Sequence, residues 1–335
     1  MRAAFYSCTG PARDVLEVGE QPTPQPAAGE VLVRVRASGI NPADVKRRAG
    51  WRGLTMGHSL VIPHTDGAGE IVDAGPGVDR SRIGQRVWLW NAQGGYGTAG
   101  RAFGTAAEYV AIPTGQAAPL SDRLSFEAGA CLGVPAMTAH RAVYADGPVE
   151  GQTILVNGAA GAVGHFAVQL ATAGGATVFG TVGNDAAAAH ARAAGAAAII
   201  DRKREDIVAR VFELTGGQGV DRIVEVDFGA NHAVDVAMLR VNGTIASYSS
   251  SSNPEPVFPY YAFANKGANL RVIQGFCIPE EARRAGEECL VRLAAEGRLS
   301  VAVAAAYPLS DIVTAHEHVE RGSLGNVVVA LGQDA

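Results

Sequence analysis

The stretch ILVNGAAGAVGHFAVQLATAGG, residues 154–175, constrains this chain more than any other. It opens on a short apolar run, as a buried central strand does, and then passes through Gly158, Gly161 and Gly164. Beyond Gly161 the apolar positions Val163, Phe166, Ala167, Leu170 and Ala171 fall on one helical face, and Gly174-Gly175 form a natural stop. A glycine turn between a strand end and a helix start presents unpaired backbone N–H groups at the positive end of the helix dipole. A pyrophosphate binds in that setting. The pattern is G-x-x-G-x-x-G, with Ala160 where G-x-G-x-x-G would have glycine. Gly158, Ala160, Gly161, Ala162, Val163 and Gly164 are the candidate cradle. The plain alternative is a tight turn that holds no ligand.

The surrounding rhythm argues against that alternative. From residue 126 helical and strand patterns alternate: a helix through GVPAMTAHRAVY, then TILVNG, the glycine helix, TVFGTV, an alanine-rich helix ending at Gly195, AAIID, EDIVARVFELTGG, DRIVEVD and GTIASYS. This is the signature of an α/β fold, a doubly wound parallel sheet with helices on both faces. Residues 126–297 are assigned to this Rossmann domain, with NLRVIQGFC (269–277) as its last strand and a helix over 280–297. Residues 1–125 read as β-rich, with strands at 31–37, 69–75, 86–90 and 107–113 between glycine and proline punctuation. The tail, 298–335, offers a strand, a helix and the strand NVVVAL, and is expected to rejoin the first domain.

A chain of 335 residues has room for two such domains. Its net charge of −5 gives no reason to expect nucleic acid or an anionic membrane as partner. No apolar run approaches spanning length, and the first residues carry no secretory pattern. Cys8, Cys131, Cys277 and Cys289 form no C-x-x-C pair. A cytoplasmic protein with reduced thiols is the expectation.

The choice of dinucleotide is read from strand ends. An acid at the end of the second strand of the fold would bind an adenosine ribose and favour NAD. Here TVFGTV is followed by Gly183, and no carboxylate stands before Asp185, which is expected to cap the next helix. The third strand ends in IIDRKRED, with Arg202, Lys203 and Arg204 where a 2′-phosphate would lie, although such a trio also occurs as a merely solvated loop. The missing acid and the present bases both point to NADPH. Thr181, Gly183 and Arg202 join the cofactor candidates.

Taken together, ASGINPADVKRRAG (37–50), IPHTDGAGEIVDAGPGV (62–78), FGTAAEYVAIP (103–113), GVPAMTAHRAV (133–143), ILVNGAAGAVG (154–164), YPLSDIVTAHEHVERG (307–322) and LGNVVVAL (324–331) span nearly the whole chain. With them the sequence resembles the zinc-independent medium-chain dehydrogenases/reductases of the quinone oxidoreductase, or zeta-crystallin-like, branch. The resemblance implies a GroES-like catalytic domain for residues 1–125 and 298–335. It implies that Asn41 lies beside nicotinamide and substrate, that Thr138 contacts the cofactor, and that Tyr248 and Ser249 lie near its nicotinamide half. It puts Arg321 near the 2′-phosphate, adds Asn326 to the cofactor set, and implies a homodimer paired along the last sheet strand. The chain also departs from the pattern. Alanines fill 186–189 where relatives often have a lysine, and Arg202 replaces a tyrosine. Lys46 and Arg52 replace aromatic residues that line some quinone sites, which suits a polar or anionic acceptor, with Trp51 as an apolar wall.

In zinc-dependent members of the superfamily the catalytic ligands would fall at Asn41 and Thr65, and a zinc site needs three or four convergent N or S donors. His58, His64, His316 and His318 do not supply them, and no metal is expected. Without a Lewis acid the workable reaction is hydride delivery to an acceptor that is already electrophilic, a quinone or an α,β-unsaturated carbonyl. Asn41 would polarise the acceptor carbonyl. The proton would come from solvent, Lys46, Arg52 or Tyr96, and the catalytic candidates are Asn41, Lys46 and Arg52. The segment GGYGTAGRAFG (94–104) is read as a loop bordering the substrate. The competing readings are a zinc alcohol dehydrogenase and an NADPH-binding protein with a non-enzymatic role. A short-chain dehydrogenase is disfavoured, since Tyr261 and Lys266 miss the Tyr-x-x-x-Lys spacing.

Overall fold

The computed structural model describes residues 1–94 and 100–332. The chain forms two compact units, Met1–Pro135 with Glu287–Ala335, and Ala136–Gly286. The first unit begins with β1 (Arg2–Phe5), α1 (Ala12–Val15), β2 (Glu17–Glu20) and the long β3 (Glu30–Ile40). Along β3, Val31, Val33 and Val35 are buried while Arg34 faces solvent, the alternation of a half-buried strand. The helix α2 (Pro42–Ala49) follows at once. Asn41 is its N-cap residue, Pro42 sits at its first position, and Gly50 ends it at a left-handed φ of 69°. Then come β4 (Asp66–Ala74), β5 (Arg86–Leu89), β6 (Tyr109–Pro113), β7 (Ala117–Pro119) and α3 (Phe126–Gly129).

The helix α3 explains why the first boundary falls at Pro135 and not at residue 125. It packs on β3 and β4, and the approach is close. A Cβ on Gly39 would stand 2.1 Å from the Ala130 carbonyl oxygen, and one on Gly129 would meet Leu120 and Ala68 within 3 Å. The segment that reads as the head of the nucleotide domain is therefore tied to the β-rich one.

The second unit holds α4 (Met137–Tyr144), β8 (Thr153–Val156), α5 (Ala162–Ala173), β9 (Thr177–Val182), α6 (Asp185–Ala193), β10 (Ala198–Asp201), α7 (Ile207–Leu214), β11 (Val220–Glu225), α8 (Phe228–Met238), β12 (Leu239–Ser247), α9 (Tyr260–Lys266) and β13 (Asn269–Val272). The strands form one six-stranded parallel sheet in the order β10-β9-β8-β11-β12-β13. Strand order reverses at β8, where open α/β sheets bind ligands beyond the strand ends. The core packs Leu155, Phe179, Ile200, Ile223 and Ile245. The last strand stops at Val272, shorter than the apolar run NLRVIQGFC predicts.

The second boundary falls inside α10 (Glu280–Ala295), not at 297. Beyond it β14 (Val303–Pro308), α11 (Ile312–Arg321) and β15 (Asn326–Ala330) return to the first unit. Its seven-stranded sheet runs β14-β15-β3-β4-β5-β7, with β6 paired to β3. The tail does rejoin the first domain, by β15 lying antiparallel to β3.

Candidate nucleotide site and acceptor residues

In the second unit the glycine turn lies between β8 and α5, as its sequence requires, and its glycines do different work. Gly158 has a φ of +68°, the left-handed region that glycine enters freely. A Cβ on Gly164 would fall 2.2 Å from the Gly158 oxygen, so this glycine admits the turn against the helix. Gly161, the N-cap of α5, has ordinary dihedrals (φ −76°, ψ 171°), and a Cβ there would meet only the Gly158 oxygen, at 3.4 Å. Packing does not demand glycine at 161, and the backbone there is left open. Ala162 and Val163 follow as the first helical residues, partly exposed, and their N–H groups have no carbonyl within the helix to reach.

Thr181 lies beneath the turn. Its hydroxyl accepts the Gly158 N–H at 3.1 Å and donates to Asn157 Oδ1 at 3.0 Å. Gly183 ends the strand region of β9 beside the basic loop. A Cβ there would stand 3.5 Å from Arg202 Nε and from Lys203 Cε. Arg202 and Lys203 are exposed, whereas Arg204 is drawn away by Asp185 (3.0 Å) and Asp201 (3.4 Å). The helix cap expected of Asp185 is made by Asn184, whose side chain accepts the Ala187 N–H. Asp185 is left in the first turn, where it pairs with Arg204. Thr138 is buried in the first turn of α4. Tyr248 and Ser249 follow β12, and burial pushes the Tyr248 phenol well up. The Tyr248 N–H donates to the Glu225 carbonyl, and the Ser249 carbonyl accepts the Phe228 N–H at 2.9 Å.

In the first unit Asn41 is the centre of a buried polar cluster. Its Nδ2 donates to Asp66 Oδ2 at 2.7 Å, and its main-chain N–H donates to Asp44 Oδ2 at 2.8 Å. The Val134 N–H also reaches Asp66 Oδ2, at 2.7 Å. Burial pushes Asp66 up to about 8 and Asp44 up to about 6. Gly133 makes room for this acid: a Cβ there would lie 2.1 Å from Asp66 Oδ1. Lys46, half-buried on α2, has its Nζ 4.8 Å from the centre of the Trp51 ring, and the exposed Arg52 guanidinium lies 5.6 Å from it. The indole expected as a bare apolar wall carries a cation from each.

These geometries meet their counterparts among known proteins. Residues 27–122 match the alcohol dehydrogenase GroES-like domain, and residues 162–295 match the zinc-binding dehydrogenase domain. The quinone oxidoreductase of Salmonella typhimurium is 33% identical over 329 residues, covering 95% of each chain. The chain belongs to the quinone oxidoreductase family of medium-chain dehydrogenases/reductases. The rat quinone oxidoreductase is 28% identical, over 92% of this chain and 91% of that one. Among solved structures, Escherichia coli quinone oxidoreductase complexed with NADPH aligns with a TM-score of 0.82 at 27% identity, covering 98% of this chain and all of the other. A mycobacterial protein complexed with NADPH aligns at 0.85 and 28%, with the same coverage. The fold is the family's: a GroES-like domain and a Rossmann domain.

One domain's description names zinc, and the ligand positions of zinc-dependent members fall here at Asn41 and Thr65. Asn41 turns an amide N–H, not a lone pair, toward Asp66, and Thr65 stands beside it. Among the described residues no three His, Cys, Asp or Glu side chains converge on a metal position. The family's sequence pattern left two features unread. His64 and His316, 252 positions apart, are both buried and bonded Nε2 to Nε2 at 2.9 Å, and His64 Nδ1 meets Ser38 Oγ at 2.8 Å. Burial drives His64 down to about 3. The other is the carboxyl pair Glu225 and Asp235 beneath the nucleotide turn.

Two further sequence candidates lie in the first unit, and the register that sets Val327 opposite Ile40 brings Asn326 beside the Asn41 end of β3. Arg321, exposed at the end of α11, is within 4.0 Å of Glu317. Asn326 is buried at the start of β15, with its Nδ2 and its N–H both on the Ala302 carbonyl. Tyr96, with the rest of 95–99 in the loop expected over 94–104, lies outside the described residues.

Proposed function

We propose that this protein is a zinc-free, NADPH-dependent reductase whose acceptor is a quinone or an α,β-unsaturated carbonyl. The observation that carries the reading is the pairing of an open glycine turn with a cationic strand end. Gly161 leaves the first turn of α5 clear for pyrophosphate, and Arg202 and Lys203 border the unsubstituted Gly183, where an acid would repel a 2′-phosphate. NADPH supplies the hydride, and an acceptor of either class needs one hydride and one proton.

The chain's own residues orient and polarise. Asn41 is the neutral amide that polarises the acceptor oxygen, and its bond to Asp66 fixes the plane of the carboxamide. Lys46 and Arg52 add positive charge around Trp51, which favours an acceptor bearing a carboxylate or another anionic substituent. The four cysteines are free thiols, in keeping with the cytoplasm, and no helix among the described residues is long and apolar enough to cross a membrane. The functional unit is a homodimer joined along β13. Among the described residues that strand pairs only with β12, and Val272 on it and Val257, Tyr260 and Tyr261 nearby in sequence are exposed.

The deciding experiment gives purified protein NADPH or NADH with 1,4-benzoquinone, a simple enone and a carboxylated enone, alongside metal analysis. Turnover with NADPH, above that with NADH and without stoichiometric zinc, is expected. Equal turnover with NADH, or activity that tracks bound zinc, refutes the reading. Sedimentation of wild type and Val272→Lys tests the dimer; a wild-type monomer overturns it.

A further inference from the structure

A buried hydrogen-bond network joins the ends of β8, β9 and β11 directly under the glycine turn. Asn157, the residue before Gly158, is at its centre and is 6% exposed. Its Oδ1 accepts from the Thr181 hydroxyl at 3.0 Å. Its Nδ2 donates to Asp235 Oδ1 at 3.0 Å and to Glu225 Oε2. The Thr181 hydroxyl accepts the Gly158 N–H. Glu225 Oε1 takes the Asp227 N–H and, at 2.9 Å, Asn231 Nδ2. Glu225 and Asp235 are fully buried. None of these groups takes part in the hydride chemistry proposed above.

We propose that Asn157 is a positioning residue for the dinucleotide: through Thr181 it fixes the Gly158 end of the turn, and Glu225 and Asp235 exist to accept its two amide hydrogens. The inference rests on the NADPH reading of the site. The demand at position 157 is one acceptor toward Thr181 and two donors toward two carboxyls. A carboxamide meets it; Asp has no donor when ionised, and Ser or Thr has one. The reversed carboxamide would set its oxygen against both acids. Gly158, with no side chain of its own and a left-handed φ, is held through its N–H. With that N–H drawn inward, the turn keeps the shape in which the Ala162 and Val163 N–H groups face outward.

The acids on the network are consistent with this role. Burial, and then Glu225 beside it, push Asp235 well above the usual carboxylate range. The other titratable groups against Glu225 are Asp227 in the following loop and Tyr248, whose N–H donates to the Glu225 carbonyl.

The test is NADPH titration by calorimetry of wild type, Asn157→Ala, Asn157→Asp, Thr181→Val and Thr181→Ser, each checked by thermal melting without ligand. Asn157→Ala and Thr181→Val weaken NADPH about tenfold or more, while KM for the quinone is unchanged. Thr181→Ser restores the hydroxyl and binds within about twofold of wild type. Asn157→Asp binds poorly at pH 8 and recovers at pH 6, where a protonated acid again offers a donor. Thr181→Val is nearly isosteric and decides the matter if Asn157→Ala does not fold. The inference is overturned if folded Thr181→Val binds NADPH like wild type, or if Asn157→Asp binds equally at both pH values. Failure of wild type to bind NADPH instead overturns the proposed function.

Discussion

Gly161→Ala separates the part of the glycine turn that meets a ligand from the parts that serve packing. The dihedrals at 161 suit any residue, and the added methyl group has one neighbour, the Gly158 oxygen at 3.4 Å, an ordinary contact. Alanine is a poorer N-cap than glycine, at a cost of up to about 1 kcal/mol. The smaller unfolded ensemble returns roughly 0.4–1 kcal/mol. The unliganded protein should therefore melt close to wild type. A bound pyrophosphate would meet the methyl group directly and be held off the N–H groups of the first turn. Losing one hydrogen bond to a charged group costs about 2 kcal/mol, a roughly 30-fold weakening of NADPH binding.

The contrast is Gly164→Ala, whose methyl carbon would overlap the Gly158 oxygen at 2.2 Å, so it should lower the melting temperature as well as affinity. Calorimetric titration with NADPH and unliganded melting curves for both variants decide it. If Gly161→Ala binds NADPH within twofold of wild type while folded, the pyrophosphate does not lie on this turn, and the cofactor assignment fails with it.

Three further outcomes follow from the geometry. Arg202→Glu places an acid beside Gly183, and the ratio of NADPH to NADH kcat/KM should fall by at least about tenfold; an unchanged ratio removes Arg202 from the 2′-phosphate site. Asp66 keeps a proton up to about pH 8 in the folded chain, against 3.8 ordinarily, so folding binds a proton and stability falls as pH rises toward 8. His64 works in the opposite sense, since its folded value is depressed to about 3, but its contribution is complete above about pH 6.5. Between pH 6.5 and 8.5 the wild-type melting temperature should therefore decline, and Asp66→Asn should flatten that decline; a flat wild-type profile contradicts it. Gly133→Ala, with its methyl group in the place of Asp66 Oδ1, should cost about 2 kcal/mol in urea unfolding. The same change on an Asp66→Ala background should cost at least about 1 kcal/mol less; additive losses would mean that the two sites do not meet.

The fold was legible where one element carries its own pattern. The alternation of β3, the helical face of α5 and the stops at Gly174 and Gly195 depend on neighbours within a few residues, and the structure keeps them. The boundaries were less legible, because α3 looks like the first helix of an alternating fold. Its place is set by the bare backbone of Gly39, on a strand that ends 86 residues before α3 begins. Candidate residues followed the same rule. Gly158, Gly161 and Gly164 lie within one turn, and their spacing marks them as candidates. Arg202 and Gly183 come together because β9 and β10 are parallel neighbours, which the strand-end argument anticipates.

The buried polar partners were not legible, and the reason is physical. Asn157, Glu225 and Asp235 share no local periodicity, and Thr181, although its place in TVFGTV marks it as a cofactor candidate, gives no sign of its partners. They meet because the parallel register sets Arg222 opposite Ile154 and Val224 opposite Val156, and because the ends of those strands exclude water. Once dry, each polar atom must find a partner or cost stability, so the identity of one residue dictates its neighbours. Asn157 needs two acceptors, Asp66 needs a glycine at 133, and His64 needs a ring nitrogen opposite its own. A single sequence lists such residues without their pairing. The sheet register supplies the pairing, and that is why the candidate glycines could be read from the chain while the Asn157, Glu225 and Asp235 partners of the turn could not.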